Sequence, residues 1–379
     1  MTIRVAFDTG DLSLKHGGIT PYATRLIRAF EQYELPDDID LTIVSKDPPL
    51  MSKAERWVDS MQWPLRQVGL RDSTKTPTKY RSMRQFWRSF DLYHSSNQVT
   101  RTKKLPQIVT MHDVQELHFP QYFSSAERES RAIHHRRVIE SAAAVVVSFE
   151  HVREDLLTFF DVEPQRVRVI DLPLQQSQLP ELSASQLVEL TSRIGPSQPY
   201  FLYPAQTWPH KNHLRLLEAF AIVQERCPDT RLVCTGFCNE FFEQSIRPRI
   251  ASLGLDRVVE FRGIVPNDEL NYFYRHARGV VVPTRYEAGS FPLIEAMLVE
   301  APVICSDTTS LPKTIGNRQF VFHVDDVDTM ADMMLKIHLD EHFRAANIQN
   351  SRSRTRQWMS RNVTDQYLDL WRFAAANAT

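Results

Sequence analysis

GVVVPTRYEAGSFPLIEAMLVEAPVICS, residues 279–306, reads as strand, turn, helix and second strand in quick succession. Gly279 to Pro283 is a continuous apolar run of the kind that lies buried on both faces of a parallel sheet. Ala288, Gly289 and Ser290 form a loop of small residues, and Pro292 suits a first helical turn, where its missing N–H costs nothing. The helix ends near Ala301-Pro302, and Val303 opens the next strand. This is a βαβ unit with its loop at the carboxyl end of a strand, where ligands bind in open parallel sheets. Backbone N–H groups at the helix start favour an anion such as phosphate. Glu287 stands before the helix and Glu295 in its second turn, and such carboxylates accept hydrogen bonds from sugar hydroxyls. Two acids on a solvated helix would show the same spacing.

The run resembles the signature of the retaining nucleotide-sugar glycosyltransferases of family four, which have the GT-B fold. That pattern is a glutamate, seven residues, a second glutamate, then a helix ending before a small-Pro-Val-Ile strand. Glu287, Pro292, Glu295, Ala296, Met297, Pro302, Val303 and Ile304 match it. The family usually has Gly-Phe-Gly after the first glutamate; this chain has Ala288, Gly289 and Ser290. The resemblance implies an α/β architecture of two Rossmann-like, doubly wound parallel-sheet domains facing a central cleft.

The chain's 379 residues are too many for one ordinary core and call for two domains. An apolar fraction of 42% and a charged fraction of 24% belong to a soluble globular protein. No apolar run approaches the ~18 residues of a membrane span. MTIRVAFD enters a strand directly, with no signal-peptide core, which places the chain in the cytoplasm. Cys227, Cys234, Cys238 and Cys305 form no zinc-binding spacing and read as free thiols.

Net charge is −1 but unevenly spread: residues 51–104 carry twelve Lys or Arg against four acids. That segment is a candidate for peripheral contact with anionic lipid at the inner membrane face, or with a lipid-diphosphate acceptor; an ordinary basic surface would look the same. No nucleic-acid motif accompanies it, so nucleic acid is not an expected partner.

Taken in order, strands are expected at Thr2–Asp8, Ile39–Val44, Leu92–Ser95, Ile108–Met111, Ala142–Ser148 and Val167–Ile170. Helices are expected at about 20–33, 127–141 and from 150. The N-terminal domain, which the resemblance makes the acceptor side, is expected over 1–180 and a linker, rich in Gln, Ser and Pro, over 181–198. The C-terminal domain, which the resemblance makes the nucleotide-sugar-binding one, is expected over 199–362. Its strands are expected from Tyr200, at Arg231–Thr235 and at Val258–Gly263, and its helices at 212–226, 268–276 and 327–337. A last helix, about 363–379, packs back on the first domain if the GT-B resemblance holds.

The resemblance also assigns site roles. Gly17 and Gly18, followed by Ile19 and Tyr22, match the loop under the donor diphosphate. Lys211, in a Lys-Asn pair after a Pro-containing loop, is expected to bind that diphosphate. The arginine common nearby is missing, and Ala205, Gln206 and His210 stand there, with His210 a candidate helper. His112, at the end of a strand, is expected to orient the donor sugar, with Asp113 orienting the histidine. Arg262, Gly263, Ile264 and Val265 are expected against the base. Ala288, Gly289, Ser290 and Phe291 supply loop contacts, Glu287 holds sugar hydroxyls and Glu295 the ribose. The catalytic set is therefore His112, Lys211 and Glu287.

The expected activity is retaining transfer of a hexose, with GDP-mannose the first donor and UDP-glucose a close second. The acceptor is a hydroxyl of a glycan or lipid-linked oligosaccharide for surface polysaccharide. The nucleotide sugar is a substrate, so no cofactor is expected. No metal is expected either, because Asp37-Asp38 and Asp325-Asp326 fall outside the donor loops. Two other readings share these residues: a related phosphorylase or nucleotide-sugar epimerase, and a non-catalytic nucleotide-sugar-binding protein.

Overall fold

The computed structural model describes residues 2–10, 19–44, 83–101, 104–172, 174, 179–194 and 198–377. Gly17 and Gly18 lie outside these residues, as does the basic segment at 51–82 and 102–103. The chain divides into two units: Met1–Pro173 with Asn362–Thr379, and Leu174–Arg361.

The first unit is built on six parallel strands: β1 (Ile3–Asp8), β2 (Ile39–Val44), β3 (Leu92–Ser95), β4 (Gln107–Thr110), β5 (Ala144–Val147) and β6 (Val167–Val169). Their order is β2-β1-β3-β4-β5-β6. Every residue of β3, β4 and β5 is buried, as a sheet covered on both faces requires. β-Branched Val145, Val146 and Val147 fill that pleated interior. Helix Ser125–Ser141 begins at a capping box: Ser124 accepts from the Glu127 N–H, and Glu127 reaches back to the Ser124 N–H.

Helix Val363–Ala376 completes this unit's core. Trp371 and Tyr367 are fully buried in it, beside Phe7, Tyr22 and Phe30. The Trp371 Nε1–H donates to His94 Nδ1 at 3.0 Å, and the Tyr22 and Tyr367 hydroxyls meet at 2.6 Å. Burial pushes the His94 imidazole down to about 3, so it stays neutral and keeps the lone pair that Trp371 needs.

The second unit has its own six-stranded parallel sheet. Its strands are β7 (Tyr200–Pro204), β8 (Arg231–Thr235), β9 (Val259–Phe261), β10 (Gly279–Val282), β11 (Val303–Ser306) and β12 (Val321–Phe322), in the order β12-β11-β10-β7-β8-β9. Its core runs from Tyr200–Tyr203 through Phe220, Phe273, Val280–Val282 and Ile304 to Phe320. Helix Glu341–Met359 has no counterpart in the sequence reading. Its buried residues are Phe343, Asn347, Ser351 and Thr355. Asn347 works as a side-chain extension of the sheet: Oδ1 accepts from the Val303 N–H at 2.8 Å, and Nδ2 donates to the Val303 carbonyl at 2.7 Å.

Candidate active site

In the C-terminal sheet the chain starts at β7, proceeds outward to β8 and β9, then returns to β10 on the other side of β7. The connections after β7 and β10 therefore leave in opposite directions. A crevice opens between them at the carboxyl ends of the strands, the usual ligand position in such sheets. Lys211 lies in the connection after β7 and Glu287 in the connection after β10. The Lys211 Nζ is 2.7 Å from Glu287 Oε1, with side chains only 18% and 9% exposed. Glu287 is thus a buried, paired carboxylate rather than a solvated surface acid.

Local chemistry fixes both residues. Pro209 starts a single 3-10 turn, Pro209–Lys211, closed by the Lys211 N–H on the Trp208 carbonyl at 2.9 Å. The Tyr203 hydroxyl donates to the Lys211 carbonyl at 2.9 Å. Asn212 then turns left-handed, φ 61° and ψ 32°, a conformation asparagine tolerates better than most residues. Its Nδ2 donates to the carbonyls of Pro283 at 2.9 Å and Val324 at 3.1 Å, stitching the β7 loop to the β10 loop. Two more bonds reinforce the seam: the Arg285 N–H and the Thr284 hydroxyl both donate to the His210 carbonyl. Glu287 is held through its backbone by Thr309, whose hydroxyl donates to the Glu287 carbonyl at 2.7 Å and accepts from its N–H at 3.2 Å. Thr309 itself carries a positive φ of 43°. Its task of pinning Glu287 was not legible in the sequence.

Helix Phe291–Leu298 points its start at this crevice. Ser290 caps it, accepting from the Leu293 N–H, with Pro292 in the first turn. Ala288 and Gly289 are half-buried in the loop before it. Glu295 is oriented by the Tyr274 hydroxyl, which donates to Oε2 at 3.1 Å.

His210 does not add a second cation. Burial, helped by Lys211 and His213, pushes its imidazole down to about 3 and keeps it neutral near pH 7. Gln206, in the place of the missing arginine, accepts from the Trp208 indole N–H at 2.7 Å. The nearest arginine in sequence on the opposing loop, Arg285, pairs with Asp325.

The loops after β7, β8 and β9 are locked together. The Gly236 N–H donates to the Gly263 carbonyl at 2.7 Å. Gly236 has φ +116°, and a Cβ there would fall 2.7 Å from the Ala205 carbonyl carbon. Glycine is required at that crossing. Of the residues expected against the base, Ile264 is 77% exposed and Val265 half-buried. The Arg262 guanidinium is engaged by Glu260 at 2.6 Å and lies over the Phe273 ring.

In the N-terminal unit, His112 follows β4. Its Nε2 meets the Ser96 carbonyl at 3.0 Å, and its ring stands edge-on to Tyr22. The carbonyl, not Asp113, orients the imidazole, which corrects the expected partner. Burial pushes His112 down to about 4. A neutral ring that bonds a carbonyl must carry its proton on Nε2, which leaves Nδ1 as the acceptor. Asp113 is raised, chiefly by burial and then by the charge of Glu116.

Two family models match the chain: "Glycosyl transferase 4-like domain" over residues 17–173, and "Glycosyl transferases group 1" over residues 191–354. Among curated proteins, O-antigen chain mannosyltransferase B of Escherichia coli is 25% identical over 297 residues, covering 76% of this chain and 77% of that one. D-inositol 3-phosphate glycosyltransferase of Saccharomonospora viridis is 25% identical over 261 residues, covering 66% of this chain and 60% of that one. The structure of HepE from Anabaena in complex with UDP and glucose superposes with a TM-score of 0.67 at 16% identity, covering 97% of this chain and 98% of that one.

Proposed function

Because the chain belongs to the glycosyltransferases of GT-B fold and resembles bacterial polysaccharide mannosyl- and glucosyltransferases, we propose that it moves a hexose from a nucleotide diphosphate to a glycan hydroxyl with retention at the anomeric carbon. The observation that carries this reading is the Lys211–Glu287 pair across the switch point of the C-terminal sheet. It offers one cation for a diphosphate and one carboxylate for sugar hydroxyls, side by side at a helix N-terminus.

Breaking the bond from sugar to diphosphate leaves the electron pair on a phosphate oxygen and positive charge at the anomeric carbon. Preorganised positive groups stabilise the departing dianion. Lys211 and the amides of 289–291 take that role. Glu287 holds the donor sugar's hydroxyls and Glu295 the ribose. His112 orients the sugar by accepting a hydrogen bond from one of its hydroxyls at Nδ1. The acceptor oxygen forms the new bond from the face the diphosphate leaves, and its proton passes to the departing phosphate. The base lies along Arg262–Val265. Mannose from GDP-mannose is the first donor on the strength of the mannosyltransferase relative, and UDP-glucose the second. The acceptor is a glycan or lipid-linked glycan. Among the described residues no helix is long and apolar enough to cross a membrane, and contact with a lipid surface falls to the basic 51–104 segment.

Thermal stability measured with UDP, GDP and dTDP, each with magnesium and with EDTA, tests the reading. A nucleotide at ~100 times its dissociation constant adds about 2.7 kcal/mol. One nucleotide stabilising regardless of EDTA supports a metal-independent donor site and names the base. No response to any of the three removes the nucleotide-sugar reading.

A further inference from the structure

A third loop meets the C-terminal crevice, the turn that leads from β11 into helix Leu311–Ile315. Its hydroxyl groups hold the β10 loop at two places. Ser306 and Thr308 donate to the Thr284 carbonyl at 2.6 and 2.8 Å. Thr309 spends its hydroxyl on the Glu287 peptide, 22 residues away in the chain, donating to the carbonyl at 2.7 Å and accepting from the N–H at 3.2 Å.

Thr309 is exposed, so core packing does not require it. Its φ of 43° lies in the left-handed region, where a β-branched residue is an outlier. Strain of that kind persists only where the surrounding bonds over-determine the backbone, and it collects at functional sites. Glycine would hold this turn without strain, but it has no hydroxyl to offer Glu287.

Glu287 is thus restrained twice, at its carboxylate by Lys211 at 2.7 Å and at its peptide by Thr309. The two restraints differ in fate. A diphosphate draws Lys211 away and frees the carboxylate to turn. The Thr309 bonds go to backbone alone and persist whichever partner Lys211 takes.

We propose that Thr309 is a positioning residue for donor-sugar recognition, its hydroxyl keeping Glu287 aimed at the hexose hydroxyls once the diphosphate has engaged Lys211. The assignment rests on the nucleotide-sugar reading above. It gives Thr309 a share in binding the sugar and none in binding the nucleotide.

The test titrates the full chain calorimetrically with UDP-glucose and GDP-mannose, with UDP and GDP as controls. Thr309→Val removes the hydroxyl and keeps the branched shape, Thr309→Gly removes hydroxyl and strain together, and Thr309→Ser keeps the hydroxyl. Valine and glycine are each expected to lose about tenfold in affinity for the nucleotide sugar that wild type binds, the scale of two lost hydrogen bonds. Affinity for the free nucleotide stays unchanged, and serine restores the nucleotide sugar. In a Glu287→Ala background Thr309→Val has no further effect, because Thr309 acts through Glu287. Wild-type affinity for the nucleotide sugar in the valine and glycine variants overturns the proposal. So does an equal loss for nucleotide and nucleotide sugar, a serine variant as weak as valine, or an undiminished effect without Glu287. Wild type binding a nucleotide but neither nucleotide sugar overturns it too and leaves the nucleotide site standing. Failure of wild type to bind any of the four sinks the donor reading together with it.

Discussion

The ammonium of Lys211 sits 2.7 Å from Glu287 Oε1 and joins two loops 76 residues apart in the chain. A diphosphate placed in this crevice competes with Glu287 for the same cation. Glu287→Gln is therefore expected to separate binding from turnover. Transfer falls at least ~100-fold, the scale of losing one preorganised electrostatic contact. Nucleoside diphosphate binds more tightly, because Lys211 is no longer shared. Lys211→Met loses both transfer and diphosphate affinity. Calorimetric titration beside initial-rate assays reads the two effects. A glutamine variant with weakened diphosphate binding would show that the carboxylate does not compete.

Asn212 combines a left-handed backbone with two amide donations across the seam. Asn212→Ala adds about 1–2 kcal/mol of backbone strain to the loss of two hydrogen bonds worth roughly 0.5–1.5 kcal/mol each. Asn212→Gly avoids the strain and loses only the bonds. Urea unfolding should rank wild type above glycine and glycine above alanine. Alanine equal to glycine would mean that the left-handed turn relaxes.

Among the described residues five histidines are pushed down by burial: His94, His210 and His213 to about 3, His112 to about 4, and His338 in the same direction. In the unfolded chain they titrate near 6.5. Below that pH the unfolded chain binds protons that the folded one refuses. Their contribution is complete above ~6.5 and is lost at about 1.4 kcal/mol per pH unit for each group as the pH falls toward 4. His213 gives a clean probe. It packs between Tyr203 and Phe261, and neither ring nitrogen has a partner among the described residues. His213→Phe should match or exceed wild-type stability at pH 7.5 and reduce the slope between pH 6.5 and 4.5. An unchanged slope would mean that His213 is protonated in the folded state.

The strands and most helices were readable because buried parallel strands are continuous apolar runs and surface helices show one apolar stripe. Helix Glu341–Met359 was not. Its inward positions include Asn347, Ser351 and Thr355, so small polar side chains, two of them, Asn347 and Thr355, bonded to backbone, replace the apolar stripe that periodicity detects. The glutamate pair was legible from spacing and resemblance. Its union with Lys211 was not, since nothing local connects residues so far apart in sequence. The same limit explains His112: its neighbour Asp113 was the visible partner, while the actual one is a backbone carbonyl from another strand end.

Helix Val363–Ala376 supplies Trp371 and Tyr367 to the core of a unit whose other residues precede Leu174. The first Rossmann-like unit is therefore discontinuous, and the second is an uninterrupted insertion within it. During synthesis at ~5–20 residues per second, translation of the intervening unit takes on the order of 10–40 s. Throughout that interval the first sheet waits with the seat for Trp371 open, an apolar surface that chaperones or neighbouring nascent chains can engage. The unit begun first on the ribosome is thus the one finished last, and a premature stop within the closing helix strands it incomplete.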